Sequence, residues 1–202
     1  MCKIIAVTNR NLCSGNFLDM IRRLSESDVE SIILREKDLS EAQYESVAES
    51  VLAVCKGKKQ CILHSYTEVA KKLQHPYIHL PLWKLLLLRQ EQPAQLSGFK
   101  KIGASVHSSE EAIQAWKAGA DYVTAGHVFV TDCKKGVPPR GLDYIREVSG
   151  TVPIPVYGIG GITRENMASV IQAGAEGVCI MSGMMTGEQI KQKQQGNRRC
   201  TG

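Results

Sequence analysis

Short apolar runs alternate along the chain with segments whose apolar residues recur at helical spacing. The first apolar run covers residues 3–8, and it is followed by Phe17, Met20, Ile21 and Leu24, three or four positions apart. An apolar run of this length is typical of a buried strand, and the periodic segment is typical of a helix with one apolar face. The beginning of the chain therefore predicts one strand followed by one helix.

The same alternation continues through most of the chain. Ser40 and Ser108, each three residues before a glutamine or glutamate, have the spacing of a capping box and mark two helix starts. Further strands are predicted at residues 31–34, 60–63, 77–80, 101–106, from residue 122, and at 153–157 and 177–181. Helices are predicted from residue 40 to about 54, at about 67–73 and 82–89, and at 108–119 and 163–173.

Two segments of the chain nearly repeat one another. Ala118-Gly-Ala-Asp121 and Ala173-Gly-Ala-Glu176 each stand between a predicted helix and a predicted strand. Gly119 and Gly174 suit the left-handed position just after a helix. About eight strand signals with helices between them predict an α/β fold, a (β/α)8 TIM barrel, as a single domain over residues 1–188. An open, doubly wound sheet is the alternative, and residues 189–202 are predicted to form a disordered, polar and basic tail.

Composition limits the classes of protein that fit this pattern. The chain has 202 residues, 43% hydrophobic and 22% charged, as expected for one soluble globular domain. No apolar stretch approaches the roughly 20 residues that span a bilayer, and the amino terminus does not read as a leader peptide, so we expect a cytoplasmic protein without membrane contact. Its seven cysteines form no CxxC pair and predict reduced thiols rather than a zinc site.

The net charge points to a small anionic partner. The formal charge is +5, with the basic residues mostly dispersed and without interleaved aromatic residues, so nucleic acid binding is not predicted. A modest positive balance favours an anionic small molecule in a cleft. The sequence leaves open whether the chain forms a homo-oligomer.

Candidate catalytic and binding residues fall at the predicted strand ends. The strand that starts at Tyr122 leads into Gly126-His127 and then into a polar loop with Thr131 and Lys134. Arg35 and Lys37 alternate after the second strand, so both can point to one side. Because the carboxyl ends of parallel strands open onto the binding face, these cations and His127 are expected to share one mouth, although a single histidine is more often structural.

Two glycine-containing segments are candidates for binding a phosphate. The segment 157–163 is similar to a dinucleotide-binding fingerprint, but it lacks the third glycine and the acidic ribose partner. Gly160 and Gly161 after the seventh strand, with Ser182 and Gly183 after the eighth, instead predict a phosphate site at the last two strands of the barrel.

Seven segments together resemble the thiamin phosphate synthase superfamily, and most closely its TenI-type thiazole tautomerases. They cover nearly the whole chain up to about Thr186, and they are residues 33–37, 64–65, 78–80, 105–107, 126–134, 158–161 and 181–183. Synthases of this superfamily join a pyrimidine pyrophosphate to a thiazole phosphate with magnesium held by two aspartates. Where the synthases usually have Asn-Asp, with the first aspartate, this chain has His64-Ser65, and an ungapped comparison puts Lys84 at the second aspartate. Where the synthases usually carry a proline, this chain has His127.

The resemblance therefore implies a tautomerase, with His127 as the acid–base catalyst and no metal or cofactor. It implies a thiazole carboxylate phosphate as the small-molecule substrate, which the enzyme would convert from a non-aromatic to an aromatic tautomer. The predicted substrate-binding residues are Arg35, Lys37, His64, Ser105, Thr131, Lys134, Gly160, Gly161, Ser182 and Gly183. The alternatives are a thiamin phosphate synthase and a non-catalytic regulator that binds a phosphate ligand.

Overall fold

Eight parallel strands close into a barrel in the computed structural model, which describes residues 2–134 and 136–191. The strands are β1 Lys3–Val7, β2 Ser31–Leu34, β3 Gln60–His64, β4 Tyr77–Pro81, β5 Lys101–Val106, β6 Tyr122–Gly126, β7 Val156–Ile159 and β8 Gly177–Ile180. They pair in chain order, and β8 closes on β1 through pairs such as Ile5 with Cys179. The predicted TIM barrel is confirmed, and the open sheet is wrong.

Helices surround the barrel on its outer side. They are α1 Phe17–Glu26, α2 Glu41–Cys55, α3 Thr67–Lys72, α4 Leu82–Glu91, α5 Ser109–Lys117, α6 Gly141–Thr151, α7 Met167–Gln172 and α8 Ser182–Met185. Short 3-10 turns cover Arg10–Leu12, Pro93–Leu96 and Asp132–Lys134. Among the described residues, no helix has the length and apolar character needed to cross a bilayer.

The two predicted capping boxes differ in the structure. Ser40 and Gln43 form both reciprocal bonds before α2, as predicted. At α5 the Ser108 side chain accepts from the backbone N–H of Glu111, but the Glu111 carboxylate accepts from the backbone N–H of His107 at 2.6 Å. The second box is therefore only half formed, because its carboxylate holds the end of the preceding β5 loop.

Several predicted boundaries in the last third of the chain are wrong. The seventh strand was expected at residues 153–157 but spans Val156–Ile159, since prolines 153 and 155 have no N–H to donate to a ladder. The next helix begins at Met167 instead of Thr163, because the Asn166 side chain accepts from the Thr163 N–H and forms a turn before it. Ser182 and Gly183 lie in the first turn of α8, not in a loop. No helix was predicted from the sequence where α6 lies.

The core has one layer between the sheet and the helices and another inside the barrel. The inner layer fills the lower part of the barrel with large side chains and leaves the carboxyl end open. Its buried members are Ile5, Val7, Ile33, Ile62, Tyr122, Tyr157 and Cys179. Such packing makes the barrel a solid core below its mouth, so the space for a ligand lies above this layer, at the carboxyl ends of the strands.

The last described residues run back along the barrel. The Arg164 guanidinium donates to the backbone carbonyl of Gln189 at 2.6 Å and pairs with Asp28, whose N–H donates to the Lys191 carbonyl at 3.0 Å. The remainder of the predicted disordered tail, residues 192–202, lies outside the described residues.

Removing the Tyr44 hydroxyl should destabilise the fold. This fully buried hydroxyl donates to the Leu34 carbonyl at 2.7 Å and accepts from the His64 N–H at 2.8 Å, so it joins the ends of β2 and β3. Tyr44→Phe leaves both backbone groups unsatisfied, and we expect a loss of about 2–4 kcal/mol in the free energy of unfolding, measured by urea denaturation. Tyr66→Phe is the control, because its half-buried hydroxyl makes one bond, to Leu39. Equal losses in the two variants would contradict this account.

Candidate active site

A cavity of about 890 Å³ opens at the carboxyl ends of the strands. All eleven residues that the sequence analysis selected line this one cavity. They are Arg35, Lys37, His64, Ser105, His127, Thr131, Lys134, Gly160, Gly161, Ser182 and Gly183. The structure brings the predicted residues together, while the chemical role of each remains a prediction.

The backbone around His127 is held by two neighbouring elements. The His127 carbonyl accepts from the N–H of Arg140, just before α6, at 3.1 Å, and the Val128 N–H donates to the Ile159 carbonyl of β7 at 2.9 Å. Gly160 packs directly beneath the histidine, with a positive φ of 98°, and a Cβ added there would lie 2.8 Å from the His127 Cα. A glycine is needed at this position so that the β7 loop can approach the histidine.

Hydrogen bonding selects one tautomer of His127. The imidazole is 4% exposed, and its Nε2 lies 3.2 Å from the Val137 carbonyl oxygen. A carbonyl oxygen can only accept, so Nε2 carries the proton and the neutral ring has its lone pair on Nδ1. Nδ1 is buried and has no hydrogen-bond partner among the described residues. The atom of the neutral imidazole that can accept a proton is therefore Nδ1.

Three cations form a positive wall of the cavity. Desolvation lowers the pKa of Lys37, and repulsion from Arg35 and Lys134 lowers it further. Arg35 and Lys134 therefore both lie close enough to Lys37 to repel its charge. An anion bound between them would relieve the repulsion, so the wall is suited to a carboxylate or a phosphate.

The loop that carries Arg35 and Lys37 is anchored by a buried carboxylate. Glu36 points away from the cavity, as the alternation predicted, and accepts from the Thr8 hydroxyl at 2.6 Å and the Arg10 N–H at 3.0 Å. The Thr8 hydroxyl also accepts from the Arg35 N–H at 2.9 Å. This anchor was not predicted from the sequence, although a glutamate between two cations that face the mouth was the signal for it.

Polar side chains form the floor of the cavity, above the apolar layer of the barrel. His79 contacts Ser105 and Tyr122, and its ring stacks on His64 at a centroid distance of 5.6 Å. Burial lowers the pKa of His79 to about 3, and burial together with repulsion from His79 lowers the pKa of His64 well below its usual range. Both imidazoles are therefore neutral near pH 7. Thr124 also lines the floor and was missed, although alternation from Tyr122 placed it on the inner face.

Helices α4 and α5 supply an outer wall of which only His107, at a predicted strand end, was expected from the sequence to be able to line the pocket. Trp83 and Leu86 of α4 line the cavity, and Trp83 is 65% exposed. On the α5 side are His107, whose pKa is lowered by burial and then by Lys134, together with Glu111 and Gln114. These side chains follow β4 and β5 directly, so their place in a strand–helix unit was the available signal.

Known proteins share this architecture and much of this sequence. Residues 4–184 match the model of a family described as thiamine monophosphate synthase. The chain belongs to this family. The thiamine-phosphate synthases of Methanosarcina barkeri and Clostridium acetobutylicum are 33% and 30% identical to it, over 93% and 95% of this chain and 84% and 90% of theirs. A solved structure, thiamine phosphate pyrophosphorylase from Pyrococcus furiosus, matches with a TM-score of 0.78 and 26% identity over 93% of this chain and 89% of that one.

Membership in the thiamine monophosphate synthase family confirms the resemblance inferred from the sequence. These three relatives carry the names thiamine-phosphate synthase and thiamine phosphate pyrophosphorylase, and none of the three is named a tautomerase. The comparisons therefore favour the synthase, which the sequence analysis ranked as an alternative.

Magnesium does not fit the residues at the positions where the resemblance places the two aspartates. His64 Nδ1 lies 2.8 Å from the Ser65 hydroxyl, and the Lys84 ammonium donates to the Ser65 carbonyl at 2.7 Å. Magnesium requires anionic oxygen ligands, and an ammonium group beside them would repel it. Residues 2–134 and 136–191 contain no group of three or more His, Cys, Asp or Glu side chains that could hold a metal ion.

The buried His79 should make stability fall in mild acid. Its pKa is about 3 in the folded protein, against 6.5 as the unperturbed value, so below pH 6.5 the unfolded chain binds a proton that the folded chain does not. The free energy of unfolding should therefore fall as pH drops from 6.5 toward 3. His79→Gln removes this contribution, and between pH 6.5 and 5 the variant should lose about 1–2 kcal/mol less than the wild type, by urea denaturation at each pH. Parallel pH profiles would show that the imidazole is not buried and neutral.

Proposed function

We propose that this protein is a thiazole tautomerase of thiamin biosynthesis, an isomerase within the thiamine monophosphate synthase family. Its substrate would be a non-aromatic thiazole carboxylate phosphate, and its product the aromatic tautomer. The observation that carries the proposal is that His127, whose Nδ1 has no hydrogen-bond partner among the described residues, lines a cavity that also presents three cations. A binding protein without catalysis would not need a histidine there, which argues against a regulator.

The reaction moves a proton between two carbons of one conjugated system. A single base can take the proton from the ring carbon and return it to the exocyclic carbon. His127 suits this task because Nε2 is fixed as a donor to Val137 while Nδ1 retains its lone pair. Aromatisation supplies the driving force, so the protein has to hold the substrate and exchange one proton at a defined position.

Two groups of residues would hold the ends of the substrate. The substrate carboxylate is assigned to Arg35, Lys37 and Lys134, because these three cations form one wall of the cavity. The segment Gly160–Gly161 and the first turn of α8, with Ser182 and Gly183, are assigned to the phosphate, following the use of the last two strands in this fold. His64, Ser105 and Thr131 would contact the ring between them.

Thiamine-phosphate synthase is the second candidate, and it is favoured by the names of the relatives. That reaction joins two substrates and in the synthases uses magnesium to bind pyrophosphate. Ser65 and Lys84 offer no carboxylate at the corresponding positions, so the residues of this chain support the tautomerase better. No step of the proposed reaction requires a metal.

Replacing His127 with asparagine should abolish most of the turnover. Asparagine keeps a polar side chain of similar reach but cannot serve as a base near neutral pH, so we expect a loss of about 10²-fold or more with product binding retained. Turnover is followed by the ultraviolet change on aromatisation. His75→Asn is the matched control, because His75 bonds to the Cys61 carbonyl away from the cavity. Similar rates for His127→Asn and the wild type would assign the chemistry to another residue.

Magnesium should not confer synthase activity on this protein. Without carboxylates at positions 65 and 84, the purified protein should form no thiamin phosphate from pyrimidine pyrophosphate and thiazole phosphate with or without added magnesium. Product is measured by fluorescence after oxidation to the thiochrome. The Methanosarcina barkeri relative, assayed in parallel, is the positive control. Magnesium-dependent turnover comparable to that control would establish the second candidate and reject the first.

A further inference from the structure

A chain of hydrogen bonds crosses three adjacent strands beneath the cavity. The Tyr122 hydroxyl, on β6, lies 3.0 Å from Nδ1 of His79, on β4. Nε2 of the same histidine lies 2.9 Å from the hydroxyl of Ser105, on β5. The Thr124 hydroxyl of β6 is 3.4 Å from that of Ser105. Tyr122 and His79 are 1% and 2% exposed, while Ser105 and Thr124 line the cavity. The chain therefore joins the barrel interior to the ligand space.

Gly103 allows this series of hydrogen bonds to pass across β5. It lies between His79 and Tyr122 in the sheet register, paired with both. A Cβ at this position would overlap the Tyr122 ring and come within 2.5 Å of His79 Nδ1. A side chain here would separate the tyrosine hydroxyl from the imidazole, so the glycine is required for their bond.

The direction of each bond follows from the donors and acceptors available. A buried tyrosine hydroxyl must donate, and His79 Nδ1 is the acceptor that the described residues offer to Tyr122. Because burial keeps His79 neutral, Nδ1 then has no proton and Nε2 carries it. Nε2–H consequently donates to the Ser105 hydroxyl at 2.9 Å, which is nearer than the Thr124 hydroxyl at 3.4 Å.

Ser105 is left with a single direction for its own proton. Its oxygen accepts from His79 Nε2 and, over a longer distance, from the Thr124 hydroxyl, which together occupy both lone pairs. The serine O–H must therefore point away from both partners, and the space beyond them is the cavity that Ser105 lines. Ser105 thus presents a hydrogen-bond donor, and not an acceptor, to the ligand.

We propose that Ser105, oriented by the chain through His79 and Tyr122, donates a hydrogen bond to the ring nitrogen of the bound thiazole and so selects a ring with an acceptor at that position. This inference rests on the proposed function, which assigns the carboxylate to the cations and the phosphate to the late loops. The ring nitrogen is the acceptor that remains. It belongs to the conjugated system through which the proton moves, so the same bond fixes the orientation of the reacting ring.

Binding of two matched ligands tests the selection. The probes are the aromatic thiazole carboxylate phosphate and its thiophene analogue, in which CH replaces the ring nitrogen, measured by calorimetry. The wild type should bind the thiazole about tenfold more tightly, the value of roughly one hydrogen bond. In Ser105→Ala the two affinities should become nearly equal, and Ser105→Thr, which keeps the hydroxyl, should restore part of the preference.

Tyr122→Phe separates orientation from simple packing. Without the tyrosine donor, nothing holds the His79 proton on Nε2. A share of the molecules then carries it on Nδ1 and accepts from Ser105 at Nε2, which turns the serine proton away from the ligand. The preference for the thiazole should therefore fall although Ser105 is unchanged. Tyr157→Phe is the control. The Tyr157 ring packs edge-on against Tyr122, but the Tyr157 hydroxyl takes no part in the series of hydrogen bonds. This variant should keep the wild-type preference.

Nitrogen NMR of the ligand-free protein tests the directions of these hydrogen bonds without any assumption about the substrate. The His79 Nδ1 signal should have the shift of a nitrogen without a proton in the wild type, and it should move toward the protonated form in Tyr122→Phe. A protonated Nδ1 in the wild type, or an unchanged ligand preference in Ser105→Ala, would overturn the inference while leaving the tautomerase intact. Failure of the wild type to bind either ligand would reject the proposed function together with the assignment to the ring nitrogen.

Discussion

Closure of eight parallel strands in register is the constraint on which the rest of the structure depends. Because every strand runs in the same direction, all carboxyl ends meet at one mouth, and side chains at the same level of the barrel become neighbours. The pairing of Ser105 with Thr124 and of Gly126 with Ile159 sets the level of the floor and of the His127 loop. Large residues below this level fill the barrel, so the chemistry is confined to its upper end.

Charge is distributed in this mouth to receive an anion. Arg35 and Lys134 both repel the charge of Lys37 at the cavity, and Glu36 is turned outward and anchors the loop of Arg35 and Lys37 at Thr8. The histidines of the floor are buried and neutral, so they add hydrogen-bonding capacity without adding positive charge. A carboxylate phosphate would supply the negative charge that the wall lacks, and this agrees with the phosphate substrates of the family.

The repeat of strands and helices was predictable because periodicity of apolar residues depends only on local sequence. The cavity residues were predictable for a related reason, since a strand end identifies a position at the mouth even before its neighbours are known. Their hydrogen bonds were not predictable. The bond of His127 to Val137 depends on the path of a loop, and the contact of Tyr122 with His79 depends on register across Gly103. Helix α6 was not predicted, although its buried apolar residues recur at helical spacing.

Two activities of the same family remain distinct in their chemistry. A synthase must activate a pyrophosphate, whereas a tautomerase needs one base and an anchored ring. The proposed tautomerase rests on Ser65 and Lys84 in place of carboxylates, and on a histidine whose Nδ1 has no hydrogen-bond partner among the described residues.

The most direct measurement is the rate of aromatisation of the non-aromatic thiazole carboxylate phosphate by the wild-type protein in the presence of a metal chelator. The ultraviolet absorbance of the aromatic product should rise far faster than in buffer alone, because His127 and the cations need no metal. A rate equal to that of the uncatalysed reaction would contradict the account.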